Sequence, residues 1–179
     1  RVFVYQLTGT LQVIAYDARI QVDFNPEVVS EYRLIGYENR AIADADFRND
    51  AEVDAAEIGA GHSVTGLYEI RLHSNADNGD IATVYVRYQN ADTSEFDEVN
   101  QDFPAEDLFS DFSDMPASFR LHAVVAEFGE MLRGINPDGD YVELLTMAVP
   151  LVDAFENDPD VAEFVDLIRL AGQYVDVGR

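Results

Sequence analysis

Along the first two-thirds of the chain, hydrophobic and polar positions alternate; in the last third they recur at helical spacing. Ala18, Ile20, Val22 and Phe24 alternate with Arg19, Gln21 and Asp23, and the run stops at Asn25-Pro26. A period of two is that of a strand with one covered face. Tyr32–Tyr37 is a second β-prone run, followed by a polar stretch from Asp44 to Glu57 that ends at Gly59-Ala60-Gly61. Val64–Leu72 alternates again through Leu67, Tyr68 and Ile70. Asn75 to Asp80 is a turn cluster, Ile81–Tyr88 the next predicted strand, and Phe96–Phe103 a further, less regular one. Val2–Ala15 fits a helix or a strand equally well.

From Pro116 the period changes. Pro116–Arg133 sets Phe119, Val124, Phe128, Met131 and Leu132 near one face of a predicted helix, with Ser113 or Asp114 available as N-cap. Asn136-Pro137-Asp138-Gly139 breaks it. Tyr141–Phe155 is a second predicted helix, which Pro150 should kink or shorten. A third starts at Asp158-Pro159, with Val161, Phe164, Val165, Ile168 and Leu170 at helical spacing. Val124, Phe128, Leu132, Phe164, Val165 and Ile168 are the expected shared core of these helices.

Strands followed by helices imply an α+β chain: a small antiparallel, β-sandwich-like sheet region, then a C-terminal bundle of about three helices. The expected divisions are 1–15 as a leading segment, 16–110 as the β-rich region, and 111–179 as a helical region packed on it in one structural unit. About five legible strands are few for a closed sandwich, so an open edge or uncovered apolar face is expected. The Asp17–Phe24 strand and Val2–Ala15 are its nearest candidates, with upstream sequence or self-association supplying cover.

Charge changes the picture. The 179 residues carry 35 acidic and 11 basic side chains, a formal net charge of −24, and every basic residue is Arg. So acidic a chain repels nucleic acid and anionic lipid. Either it attracts a cationic partner or divalent cations, or it is adapted to a salty environment; acids spread along the chain rather than gathered in one tail point to the second. With 47% hydrophobic residues the chain has the material for a folded core. It has no Cys, hence no disulfide and no thiolate chemistry. No apolar run approaches the ~20 residues a spanning helix needs. A start at Arg1, without Met or signal peptide, is expected of a processed or excised piece.

Three constellations invite chemistry. His62 and Ser63, with Asp54 or Glu57 as the orienting acid, suggest a hydrolase. Yet adjacent residues on a predicted strand point to opposite faces, and no Gly-x-Ser-x-Gly elbow occurs. Asn136-x-Asp138-x-Asp140 opens like a calcium loop, but Tyr141 and Met147 stand where Gly and Glu are required. His62, His73 and His122 lack zinc-ligand spacing. The polar set Arg33, Glu38, Asn39, Arg40, Asp54, Glu57 and Glu69 reads either as a site for a ligand carboxylate or as an internal ion-pair network, joined by His62, that ties the Asp44–Glu57 loop to the sheet.

The stretches DARIQVDFNPEVVSEYRLIGYENRAIADADF and DAAEIGAGHSVTGLYEI, within Asp17–Ile70, and SFRLHAVVAEFGEMLRG, Ser118–Gly134, are dense in uncommon strings. They resemble the C-terminal region of bacterial von Willebrand factor type A (VWA) proteins of the YfbK type, and the likeness covers most of the chain. The resemblance implies a non-catalytic accessory or interaction module following a VWA domain in a cell-envelope protein, periplasmic or extracellular. Val2–Ala15 would then lead out of that domain. The VWA metal motif Asp-x-Ser-x-Ser is missing, so no cofactor or metal is expected in this piece. Expected partners are proteins, including upstream parts of the same parent, with neither nucleic acid nor membrane insertion. A hydrolase using His62, or an acidic cation-binding module, remains as the alternative.

Overall fold

A computed structural model describes residues 12–36, 46–49, 56–74 and 79–177. The chain divides into two compact units, Arg1–Leu108 and Phe109–Arg179. The layout is α+β, with antiparallel sheets followed by helices. Among the described residues, no helix is long and apolar enough to cross a membrane.

Among the described residues the first unit holds six strands: β1 (Val13–Phe24), β2 (Val29–Ile35), β3 (Ala56–Gly59), β4 (Leu67–Leu72), β5 (Asp80–Asn90) and β6 (Phe96–Pro104). A four-stranded sheet runs in the order β3-β1-β5-β6, and β2 pairs with β4 in a separate ribbon. All pairs are antiparallel. β1 starts before the predicted strand, so Val13–Ala15 is extended chain. β3 lies inside the stretch predicted to be polar loop; it is short, and the turn after it uses Gly61 at φ +79°, a left-handed angle costly for other residues.

One irregularity in β1 governs the unit. Tyr16 faces Gln89 and Arg19 faces Arg87, so Asp17 and Ala18 both stand opposite Tyr88: a β-bulge. Asp17 takes φ +50°, which an Asp side chain tolerates better than most. The outcome departs from the simple period of two. Arg19, one of the polar alternates, is buried at 1% exposure, and Ile20, one of the apolar ones, is 54% exposed.

Asn25-Pro26 ends β1 as predicted, and the reason is hydrogen bonding. The Asn25 side chain accepts from the Glu27 N–H and donates to the Asp80 carbonyl, while its own carbonyl takes the N–H groups of Val28 and Val29. This lock brings Val28, Val29, Ile81 and Ala82 into a small core, with Val22, Phe24, Ile70 and Ala105 around it. Phe24 stacks on Tyr32 of β2 at 4.4 Å and meets Tyr68 of β4 edge-on at 5.3 Å.

The second unit is three helices: α1 (Ala117–Arg133), α2 (Tyr141–Ala154) and α3 (Pro159–Val177). α1 has Pro116 at its N-cap with no side-chain cap, so neither Ser113 nor Asp114 serves; both lie in a short 3-10 turn, Phe112–Asp114. Gly134, left-handed at φ +72°, closes α1, with the Ile135 N–H reaching back to the Glu130 carbonyl. Asp140 caps α2, accepting from the Val142 and Glu143 N–H groups. Asp158 accepts from the Asp160 N–H at the start of α3. α2 runs through Pro150 to Ala154, because Ala148 and Leu151 on either side are fully buried and packing outweighs one lost hydrogen bond.

Val124, Met131, Leu144, Ala148, Leu151, Val161, Val165 and Ile168 form the helical core, with Phe128 and Phe164 half-buried against it. The two Phe rings meet edge-on at 5.7 Å. Leu132 does not belong: it is 61% exposed, and Phe119 is exposed as well. The inward positions are Leu121, Val124, Phe128 and Met131, and a residue one step past Met131 is turned roughly 100° away from them.

Candidate functional site

The four-stranded sheet has two unlike faces. Residues paired across an antiparallel ladder share a face. One face therefore carries the rungs Arg19–Arg87–Glu98, Gln21–Tyr85–Asn100 and Asp23–Thr83–Asp102. The other carries Ile20–Val86–Val99, Val22–Val84–Gln101 and Phe24–Ala82–Phe103.

The polar face is stitched. The Nη2 of Arg19 donates to Asp17 at 2.5 Å, and its Nη1 lies 3.1 Å from the main-chain carbonyls of Asp46, Phe47 and Asn49. A guanidinium with this many acceptors tolerates burial that a lone charge would not. The bulge at Asp17 supplies its counter-charge, and the 46–49 segment is drawn onto the sheet, where Phe47 is buried to 2%.

That segment then presents Arg48. Its Nε and Nη2 form a forked pair with Glu98 of β6, at 3.1 and 2.7 Å, and its plane lies over the rings of Phe47 and Tyr85. Arg87 approaches Glu98 at 3.7 Å and covers the Phe96 ring at 4.6 Å. Hydrogen bonding to Arg48 holds the Glu98 carboxyl below the usual glutamate range, against an opposing desolvation effect. The same hydrogen bond, to Glu98, raises Arg48.

The apolar face is only half covered. At its Phe24 end the rings of Tyr32 and Tyr68 pack on it. Toward the bulge, Ile20 and Val99, at the two ends of the Ile20–Val86–Val99 rung, are each 54% exposed. Phe103 is 36% exposed. Val86 between them is half-buried, so the exposed apolar side chains of these rungs sit on β1 and β6.

The residues singled out in the sequence fall elsewhere. Arg33 pairs with Glu69, directly opposite it in the β2–β4 ribbon, at 2.6 Å; both are exposed. Glu38, Asn39, Arg40 and Asp54 lie outside the described residues. Glu57 and His62 are exposed, and neither pairs with another described residue through its side chain. His62 and Ser63 stand in irregular chain after Gly61, not on a strand, because pairing resumes only at Leu67. The His73 ring meets the Pro26 carbonyl at 3.3 Å. Among the described residues no group of His, Asp and Glu could hold a metal ion. Arg19, Arg48, Arg87 and Glu98 are the residues that sequence reasoning missed. The signal for Arg19 was faint: an Asp two positions earlier in a run whose alternation is unbroken in sequence, the bulge showing only in the pairing with β5.

The sheet of this α+β chain thus has one face stitched by arginine and one apolar face that is half covered. Residues 9–173 match the family described as "Uncharacterized protein YfbK, C-terminal", and the chain belongs to that family. It is 30% identical, over 97% of its length, to "Uncharacterized protein YfbK" of Escherichia coli (strain K12). It spans 32% of the length of that relative. No solved structure matches the chain.

Proposed function

We propose that the chain is a non-catalytic interaction module, working beside a VWA domain of the parent protein at the bacterial cell envelope and docking on protein surfaces. The observation that carries this reading is the Ile20–Val86–Val99 rung, an apolar strip exposed at both ends on a sheet whose opposite face is stitched by arginine. Burying such side chains is worth about 25 cal/mol per Å², and little reorganisation is needed because the strands already hold them. The relative's remaining length, about two-thirds by the coverage above, supplies ample sequence for the neighbouring domain. The VWA association and the envelope location rest on the resemblance of the Asp17–Ile70 and Ser118–Gly134 stretches.

The test is Ile20→Thr with Val99→Thr. β-branched residues keep the strand, and only the apolar surface changes. Association with the upstream part of the parent, measured by calorimetry, should weaken at least tenfold while the circular dichroism spectrum is unchanged. Unaltered affinity removes this face from the function.

A further inference from the structure

The same sheet ends in an edge. β6 is paired to β5 along its length, from Phe96 to Pro104, and among the described residues no strand lies on its other side. Its outer N–H and C=O groups are a template for one more strand. We infer that β6 accepts an extended, basic and apolar segment of a second protein by antiparallel or parallel strand addition; this rests on the interaction-module reading above and names its mode.

The chemistry of the occupant follows from the edge. Val99 and Phe103 project on the open apolar face, so a strand laid beside them extends the exposed rung by one more apolar residue. Asp97 shares that face, and Asp102 lies on the other. Glu98 is already paired with Arg48 and Arg87, whereas Asp97 and Asp102 accept from the neutral side chains of Asn90 and Thr83, which leave their charge for an incoming strand to meet. Arg or Lys opposite them is favoured, and the net charge of −24 attracts such a segment from a distance.

A second copy fits poorly. Antiparallel self-pairing centred on Asn100 would set Glu98 against Asp102 and bring two strands of like charge together. The edge is thus protected against its own kind and open to a basic strand.

The experiment uses the whole chain and a synthetic nine-residue peptide, acetylated and amidated, alternating Val and Thr with two Arg substituted so as to fall beside Asp97 and Asp102. Hydrogen exchange of the β6 amides should slow by roughly tenfold when the peptide is bound. Two further peptides carry N-methyl groups on alternate residues. One set blocks the edge-facing donors and should abolish protection; the other should leave it intact. Asp97→Asn with Asp102→Asn should weaken the Arg peptide at least fivefold, and binding should fall with added salt. Equal binding by both N-methylated peptides, or a dimer joined through β6 without peptide, overturns the inference. If the upstream region still binds through Ile20 and Val99 while the β6 amides exchange as before, strand addition fails and the interaction-module reading survives.

Discussion

The helical unit and the sheet unit bury different things. In the helices, Val124, Leu151 and Ile168 are sealed at 1% exposure or less, and Ala148 fills the remaining gap. In the sheet unit a charged side chain, Arg19, is enclosed as completely as Ile81 and more than Phe47. Its apolar core is four small or branched residues at one end of the sheet. Packing of apolar groups is non-directional and tolerates exchange, whereas a buried guanidinium holds only while every acceptor stays in place. The helices are held together by area, the 46–49 segment by geometry.

Breaking Arg19 is the strongest test of that contrast. Arg19→Ala should cost about 3–5 kcal/mol, because Asp17 and three carbonyls lose their donor together. Chemical denaturation measures the loss, and hydrogen exchange at Phe47–Asn49 should rise with it. If Arg19→Met proves as stable as the parent with the segment still protected, apolar filling suffices and the contrast collapses.

The helical side is tested by truncation. Leu151→Ala should cost about 2–5 kcal/mol, the range for a sealed aliphatic side chain. Leu132→Ala, one residue past the buried stripe of α1, should stay within about 0.5 kcal/mol. Near-equal losses for the two would mean that α1 is rotated from the position described here.

Smaller effects separate the ion pairs. Arg33→Ala should change stability by less than about 1 kcal/mol, since its pair with Glu69 is exposed on both sides. The effect of Glu98→Gln on stability should depend on pH. The Glu98 carboxyl titrates below its ordinary range when folded, so its contribution is present above that range and lost as pH falls through the lowered value. The stability gap between parent and Glu98→Gln should therefore close on acidification. A gap that is constant with pH would show that the Arg48 pairing does not hold in solution.

Much of the fold was legible because it follows local rules. The alternation from Ala18 to Phe24 and the spacing from Val161 to Ile168 each state a period, and the strand and helix appear there. Asn25-Pro26 and Asp158-Pro159 mark ends through turn and cap chemistry that needs no distant partner. The burial of Arg19 was illegible for the opposite reason. Its acceptors sit at Asp46, Phe47 and Asn49, and no local pattern links those positions to a strand residue so far upstream. β3 was hidden likewise, since AEIG is too short to show a period and pairs only because β1 lies beside it.

The sequence by itself therefore determined the element types, the order of strands and then helices, the places where most elements stop, and the resemblance that set the family. Each depends on neighbours within a few positions, or on the pattern as a whole. Only the tertiary structure decided which face of β1 is covered. A single extra residue at Asp17-Ala18 shifts the register with β5, a remote loop supplies carbonyls to Arg19, and Ile20 is left facing water. Strand periodicity specifies two faces but not which will be buried; that depends on what else the chain brings to each.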